Sequence, residues 1–239
     1  MDWDEHVVAY FSTVKDGNIS IKESLSKASG VGNRQTFFAL NKIDLMRGVF
    51  CQQTHSDNIY VVEESDAGRG SVSFETGIPD TDALLTNIPG ITLNILVADC
   101  VPILLYDPVK KAVGAVHAGW RGTMKLILKK TIIKMTAQYG CEQKDIVAEI
   151  GPSIGPDCFE VGEEVILAAK EVDLESFVIH RNGKAYFDLW ESNKYQLIAN
   201  GVKEENVKIS GICSHCSSDY FSFRRDKNAN RFAAGITIK

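Results

Sequence analysis

Histidine is scarce in this sequence. The 239 residues hold five, at positions 6, 55, 117, 180 and 215. Long apolar runs are absent as well. No stretch reaches the roughly 20 residues that cross a bilayer, so no membrane-spanning helix is expected. No basic block interrupts a chain of net charge −5, and this argues against nucleic acid or an anionic lipid surface as partner. There is no repeat, no low-complexity tract and no linker-like segment. The opening MDWDEHVVAY carries two aspartates and a glutamate where a secretory signal needs positive charge, so a cytoplasmic protein is expected. Its six cysteines, at 51, 100, 141, 158, 213 and 216, are then expected to stay mostly reduced. A disulfide framework is not expected at this size.

What is present is ordinary globular composition, 44% apolar and 24% charged, with enough length for a sizeable core. Residues 1–239 read as one domain. Residues 33–45 read as a helix and 58–63 as a strand. ITLNILVADCVPILLY (91–106) reads as two buried strands broken at Asp99–Pro102, and 112–117 as a third. Asp107 and Pro108 hold the first two positions of a turn between them. Helical spacing runs over 123–139 with Gly140 as its stop, and again over VGEEVILAAKEV. Asp188 and Glu191 form a capping-box-like start for a helix over 189–200, closed by Gly201. DIVAEI, VKISGI and GITIK read as strands. Strands and helices mix without strict alternation, which predicts α+β: a mixed β-sheet flanked by helices.

The chemistry gathers around Cys100 and His117. A hairpin closed between residues 108 and 109 pairs residue i with residue 217 − i, so Cys100 faces His117. Such partners place Cβ atoms roughly 4.5–5.5 Å apart, a gap one zinc ion can bridge. Arg121, in the Gly-flanked GWRG at a helix start, is an anion-site candidate. Asp99 adjoins Cys100 as an outer hydrogen-bond acceptor or general base, although strand alternation points it to the other side. Among the other histidines, His55 in the polar turn QTHSD has the best setting for a third ligand. Cys213 and Cys216 in CSHC have metal-like spacing without a second CxxC to close a four-ligand site.

QTHSDNIY, DTDALLT, VADCVPILLYDP, AVHAGWRGT, GPSIGPDCFEVG and FSFRRD together resemble the laccase-domain family. The family is also called multicopper polyphenol oxidase-like, and its bacterial members include the peptidoglycan-editing factor. The resemblance runs from about residue 50 to residue 226. It implies a laccase-domain (cytotoxic necrotizing factor-like) α+β fold and one metal ion, usually zinc, held by His55, Cys100 and His117. It also implies phosphorolysis of adenosine, inosine and methylthioadenosine, and deamination of adenosine. Purine nucleosides and phosphate are then the partners. Arg121, Arg224 and Arg225 are phosphate candidates because guanidinium forks match phosphate oxygens. Arg34 joins them because NR before a helix is similar to the family's pattern. Cys100, His117, Asp99 and Arg121 are the catalytic candidates. GPSIGP (151–156) is expected to be a rigid loop lining the pocket, and Tyr220 or a nearby Phe to stack on a purine.

The family's older name implies copper oxidation. A blue-copper centre plus a three-copper cluster needs more imidazoles than five histidines without a His-x-His pair supply. One His₂Cys site can still bind copper in vitro, so copper-dependent phenol oxidation stands as an incidental activity. Two further readings stay open. Cys100 and His117 can form a metal-free cysteine hydrolase dyad, or the zinc can be structural, with Cys213 or Cys216 as a fourth ligand.

Overall fold

The run at 91–106 is apolar at nearly every position because it is buried on both faces. In the computed structural model, which describes residues 3, 5–22, 27–228 and 230–239, Val101, Ile103 and Leu105 pack against helices. Leu104 and Tyr106 pack against a second sheet. A strand covered on both sides reads as a continuous apolar run.

In chain order the elements are β1 (Val7–Phe11), α1 (Lys27–Leu40), β2 (Gly48–Phe50), β3 (Ile59–Val61), β4 (Ala83–Thr86), β5 (Thr92–Val97), β6 (Val101–Asp107) and β7 (Ala112–Ala118). There follow α2 (Trp120–Met124), α3 (Ile127–Tyr139), β8 (Val147–Ile150), β9 (Glu160–Val161), α4 (Glu163–Glu171), β10 (Val178–Arg181) and β11 (Lys184–Phe187). The chain closes with α5 (Leu189–Ala199), β12 (Val207–Ile209), α6 (Phe223–Asp226) and β13 (Phe232–Ile238). A six-stranded mixed sheet runs β12-β8-β6-β7-β4-β3, a four-stranded one β1-β13-β5-β2, and a three-stranded one β10-β11-β9. The fold is α+β with mixed sheets.

Three cores stack these layers. Leu105, Val116, Leu128, Ile132 and Leu197 join the six-stranded sheet to α3 and α5. Leu104, Val113, Leu93, Ile95 and Ile236 fill the space between the two large sheets. Phe37 and Phe38 of α1 cover the outer face of the four-stranded sheet with Ile19 and Phe50.

Several expectations need correction. The β6–β7 hairpin pairs Pro102 with His117 and Asp107 with Ala112. The loop is therefore two residues longer than a turn at 107–110 alone, and Cys100 is not opposite His117. Asp107 still organises the turn, its Oδ1 accepting the Val109 and Lys110 N–H groups. A two-residue slip keeps every side chain on its predicted face, where a one-residue slip would have reversed them all. The chain breaks at 98–100, and Pro102 lies inside β6. The helix expected over 33–45 spans 27–40, ending before Lys42, whose φ is +57°. Ile43 and Leu45 return to the same aromatic cluster after the break, which is why the apolar spacing runs on past the helix end. The helix expected over 123–139 is two helices, split at Leu126 with φ +59°. Asp188 caps α5 through the Trp190 and Glu191 N–H groups, as expected.

Leu105 is fully buried between β7 and β8. Leu105→Ala should cost about 2–5 kcal/mol in urea unfolding. Val109→Ala, at the exposed hairpin tip, should stay within about 0.5 kcal/mol.

Candidate functional site

His117 stands at the end of β7 on the side facing the four-stranded sheet, in step with Val113 and Ala115. Asp82, just before β4, lies alongside. Its carbonyl accepts the His117 N–H at 2.7 Å, and its carboxylate takes His117 Nδ1 at 2.6 Å. Both side chains are buried. The same carboxylate accepts the backbone N–H groups of Thr54 (3.2 Å), His55 (3.1 Å) and Ser56 (2.7 Å), and the Ser56 hydroxyl (2.7 Å). One buried anion thus orients an imidazole and folds the loop that carries His55. With Nδ1 committed as donor to Asp82, His117 turns Nε2 outward.

Cys100 arrives from the break between β5 and β6. Its sulfur is 3.8 Å from His55 Nε2, and the two imidazole rings are 4.9 Å apart. The ligand atoms of His55, Cys100 and His117 all lie within 4.8 Å of one another. His55 has φ +61° and Asp99 has φ +89°, sparsely populated conformations that tend to cluster at functional sites. Gly119 closes the group. A Cβ there would stand 2.8 Å from the Cys100 sulfur and 3.2 Å from His55 Cδ2, so only glycine leaves the donors free.

The charges are matched. Burial by itself would neutralise all three groups, yet His117 and then Ser56 hold the Asp82 carboxyl well below the carboxylate range. Against the same burial, His117, followed by His55, draws the Cys100 thiol down to about 6. Cys100 and then Asp82 push His117 up to about 9. Without metal, the pair is thiolate and imidazolium at neutral pH.

A cavity of about 490 Å³ opens beside this group, a size that suits a small ligand. Its wall includes Phe50, Phe159 and Phe223 and four cations, Lys22, Arg34, Arg224 and Arg231, against one carboxylate, Asp99. Arg34 is 1% exposed. It donates to the carbonyls of Ile19 (2.8 Å), Gly70 (2.5 Å) and Ser71 (2.9 Å) and lies over the Phe50 ring. No carboxylate pairs with it among the described residues, and burial lowers its pKa to about 9. Arg224 reaches the carbonyls of Cys158 and Glu160 from the cavity wall.

The other nominated residues divide between the cavity wall and positions away from it. Arg121 lies over Trp120 and does not line the cavity. Arg225 spends its guanidinium on the carbonyls of Ser214, His215, Ser217 and Tyr220 and on Asp226, a structural position. Asp99 turns its carboxylate away from Cys100, accepting Ser214 Oγ at 2.7 Å and the Arg224 N–H at 2.6 Å. Tyr220 packs on Phe232, and Phe223 faces the cavity in its place. Ile154 of GPSIGP does line it. Sequence reasoning missed Asp82. An aspartate at the start of the apolar ALLT strand, with a polar THSD turn needing an anchor, was the available signal.

The chain belongs to the multi-copper polyphenol oxidoreductase laccase family, whose model matches residues 11–239. Purine nucleoside phosphorylase YlmD of Bacillus subtilis (strain 168) is 35% identical to it over 93% of this chain and 85% of its own length. An adenosine deaminase, RL5, from an unknown prokaryotic organism is 39% identical over 82% of this chain and 77% of its own. The crystal structure of YlmD from Geobacillus stearothermophilus superposes with a TM-score of 0.92 at 31% identity, covering 98% of this chain and 93% of that one.

In metal-stripped protein, Cys100 should be readily alkylated at pH 7, along with the Cys213–Cys216 loop and unlike Cys51 and Cys141. Burial raises Cys51, and burial with Asp107 pushes Cys141 up to about 12. Peptide mapping after iodoacetamide should show Cys100 labelling rise with pH, half-maximal near 6. A midpoint near the ordinary thiol value of about 8.5 would mean His117 does not hold the thiolate.

Proposed function

We propose that this chain is a metal-dependent purine nucleoside phosphorylase acting on adenosine, inosine and methylthioadenosine. The observation that carries the reading is the convergence of His55, Cys100 and His117 at the edge of a cavity rich in cations and aromatic faces. Two imidazoles and a thiolate suit a borderline-soft ion, and the methyl-free space at Gly119 and the pre-oriented His117 fit one. We assign the metal as zinc. Held by His55, Cys100 and His117, zinc would supply Lewis acidity to the site.

The chain's own residues do the rest. Arg34, buried and without a carboxylate partner among the described residues, draws phosphate inward. Lys22, Arg224 and Arg231 add positive potential around it. Phe159 and Phe223 offer faces for the purine. A phosphate oxygen attacks ribose C1′ and the C1′–N9 bond breaks. Its electron pair leaves with the base, which takes up a proton. The products are free base and ribose 1-phosphate.

The likeness to adenosine deaminase RL5 supports a second activity, hydrolytic deamination of adenosine, in which a water oxygen bonds to C6 and ammonia leaves. His55 argues against a metal-free Cys100–His117 dyad, because a dyad has no use for a third donor at 3.8 Å. The donor count argues equally against a multicopper oxidase, and copper in this one site would make phenol oxidation incidental.

Zinc-loaded protein should release base and ribose 1-phosphate from inosine only when phosphate is present. His55→Ala should remove turnover together with the zinc held by Cys100 and His117. Arg34→Met should raise the KM for phosphate about tenfold or more, leaving the nucleoside KM less affected. Base release without phosphate, or full metal-free turnover lost on alkylating Cys100, would overturn the reading. Asp82→Asn should weaken zinc binding about 10–100-fold, measured against a chelating dye.

A further inference from the structure

The CSHC loop has a partner that its spacing does not reveal. Cys158, just after GPSIGP, brings its sulfur to 3.3 Å from that of Cys216. The donor atoms of Cys158, His215 and Cys216 lie within 4.8 Å of one another. Cys213 lies beside this trio, its sulfur in contact with those of Cys158 and Cys216 but not within the same distance of every donor. It accepts the Gly155 N–H at 3.2 Å, and the backbone amides of Cys216 and His215 also point at it. Convergent N–H groups of this kind stabilise a thiolate. His215 Nδ1 is buried and has no hydrogen-bond partner among the described residues. A buried ring nitrogen without a partner is costly unless something takes its lone pair or proton.

We propose that Cys158, Cys213, His215 and Cys216 form a second metal site, separate from the His55–Cys100–His117 group, that binds a thiophilic divalent cation such as Zn²⁺. Tetrahedral zinc with bonds of about 2.0–2.3 Å sets its ligand atoms roughly 3.3–3.8 Å apart; the Cys158–Cys216 separation of 3.3 Å lies in that range, and Cys213 would close in from its contact with both sulfurs. Four protein ligands leave no open position, so the site is structural. The segments it joins bear on the cavity. The 151–156 loop and the 213–216 loop already pair through Ser153 and Cys213. Ile154 and Ser214 from these loops hold the carbonyl and carboxylate of Asp99, the neighbour of Cys100. Phe159, next to Cys158, is part of the cavity wall.

The test counts metal rather than turnover. Full-length protein, purified reduced, loaded with Zn²⁺ and desalted, should carry about two zinc ions per chain, and Cys216→Ser and Cys158→Ser about one each. In a His55→Ala/Cys100→Ser background the first group has lost two of its ligands. Cobalt loading there should still give a thiolate-to-cobalt charge-transfer band, and adding Cys216→Ser should abolish it. Circular dichroism identifies any variant that does not fold, and the His55→Ala/Cys100→Ser spectrum then decides. Equal zinc in parent and Cys216→Ser, no charge-transfer band in that background, or a Cys158–Cys216 disulfide that persists under reduction and excludes zinc would each overturn the proposal.

Discussion

The Asp82 carboxylate is the interaction on which the rest of the site depends. It is fully buried, and a buried anion is tolerated only when its lone pairs are filled and a cation is near. Six donors meet it, three from backbone N–H groups of residues 54–56, two from the Thr54 and Ser56 hydroxyls and one from His117. The loop therefore cannot relax without exposing a charge to an apolar interior. That requirement fixes His55 in a left-handed conformation and fixes the tautomer of His117 at once. Cys100 adds a second negative group on the far side of the imidazole. The order carboxylate, imidazolium, thiolate is electrostatically self-consistent, and replacing the imidazole proton by a divalent cation between the histidines and the sulfur keeps it so.

The location follows from the layering. Residues on one face of β6 and β7 fill the space between the two large sheets. Where those strands end, the same face loses its apolar filling and becomes the floor of a cavity. The four-stranded side then contributes what the hairpin lacks, Phe50 and Gln53 together with Arg34 from α1. Arg34 is anchored by three carbonyls and an aromatic face, neutral partners that position a cation without cancelling it. A carboxylate there would pair with the guanidinium and leave nothing for an incoming anion.

The share of this that sequence could reveal has a physical pattern. Cys100 and His117 were legible because strand parity survives a two-residue error in register; the pairing was wrong and the face was right. His55 was legible from scarcity and its polar turn. Asp82 was not, because its partner is 35 residues away and on a strand whose neighbour no local rule predicts. Arg121 read as an anion site because a Gly-flanked arginine opens a helix, but the turn directs it over Trp120 and away from the cavity. Arg225 illustrates the same limit. A guanidinium that binds four carbonyls and one that binds phosphate have the same sequence signature. The three-stranded sheet of β9, β10 and β11 went unread because its strands are two to four residues long and carry little periodicity.

Asp99 links the two clusters of metal-ligating side chains. It adopts φ +89°, a conformation that disfavours a side chain and persists only where surrounding contacts over-determine it. Here they do. Its carbonyl is held by Ile154, and its carboxylate by Ser214 and the first turn of α6. Each holding group sits on a loop adjoining the cysteine cluster or on the helix that carries Arg224. The position of Cys100 is therefore set from outside the cavity by the loops around Cys158 and Cys213. Asp99, expected as an outer hydrogen-bond acceptor or a general base, is also the joint between the two cysteine-bearing regions.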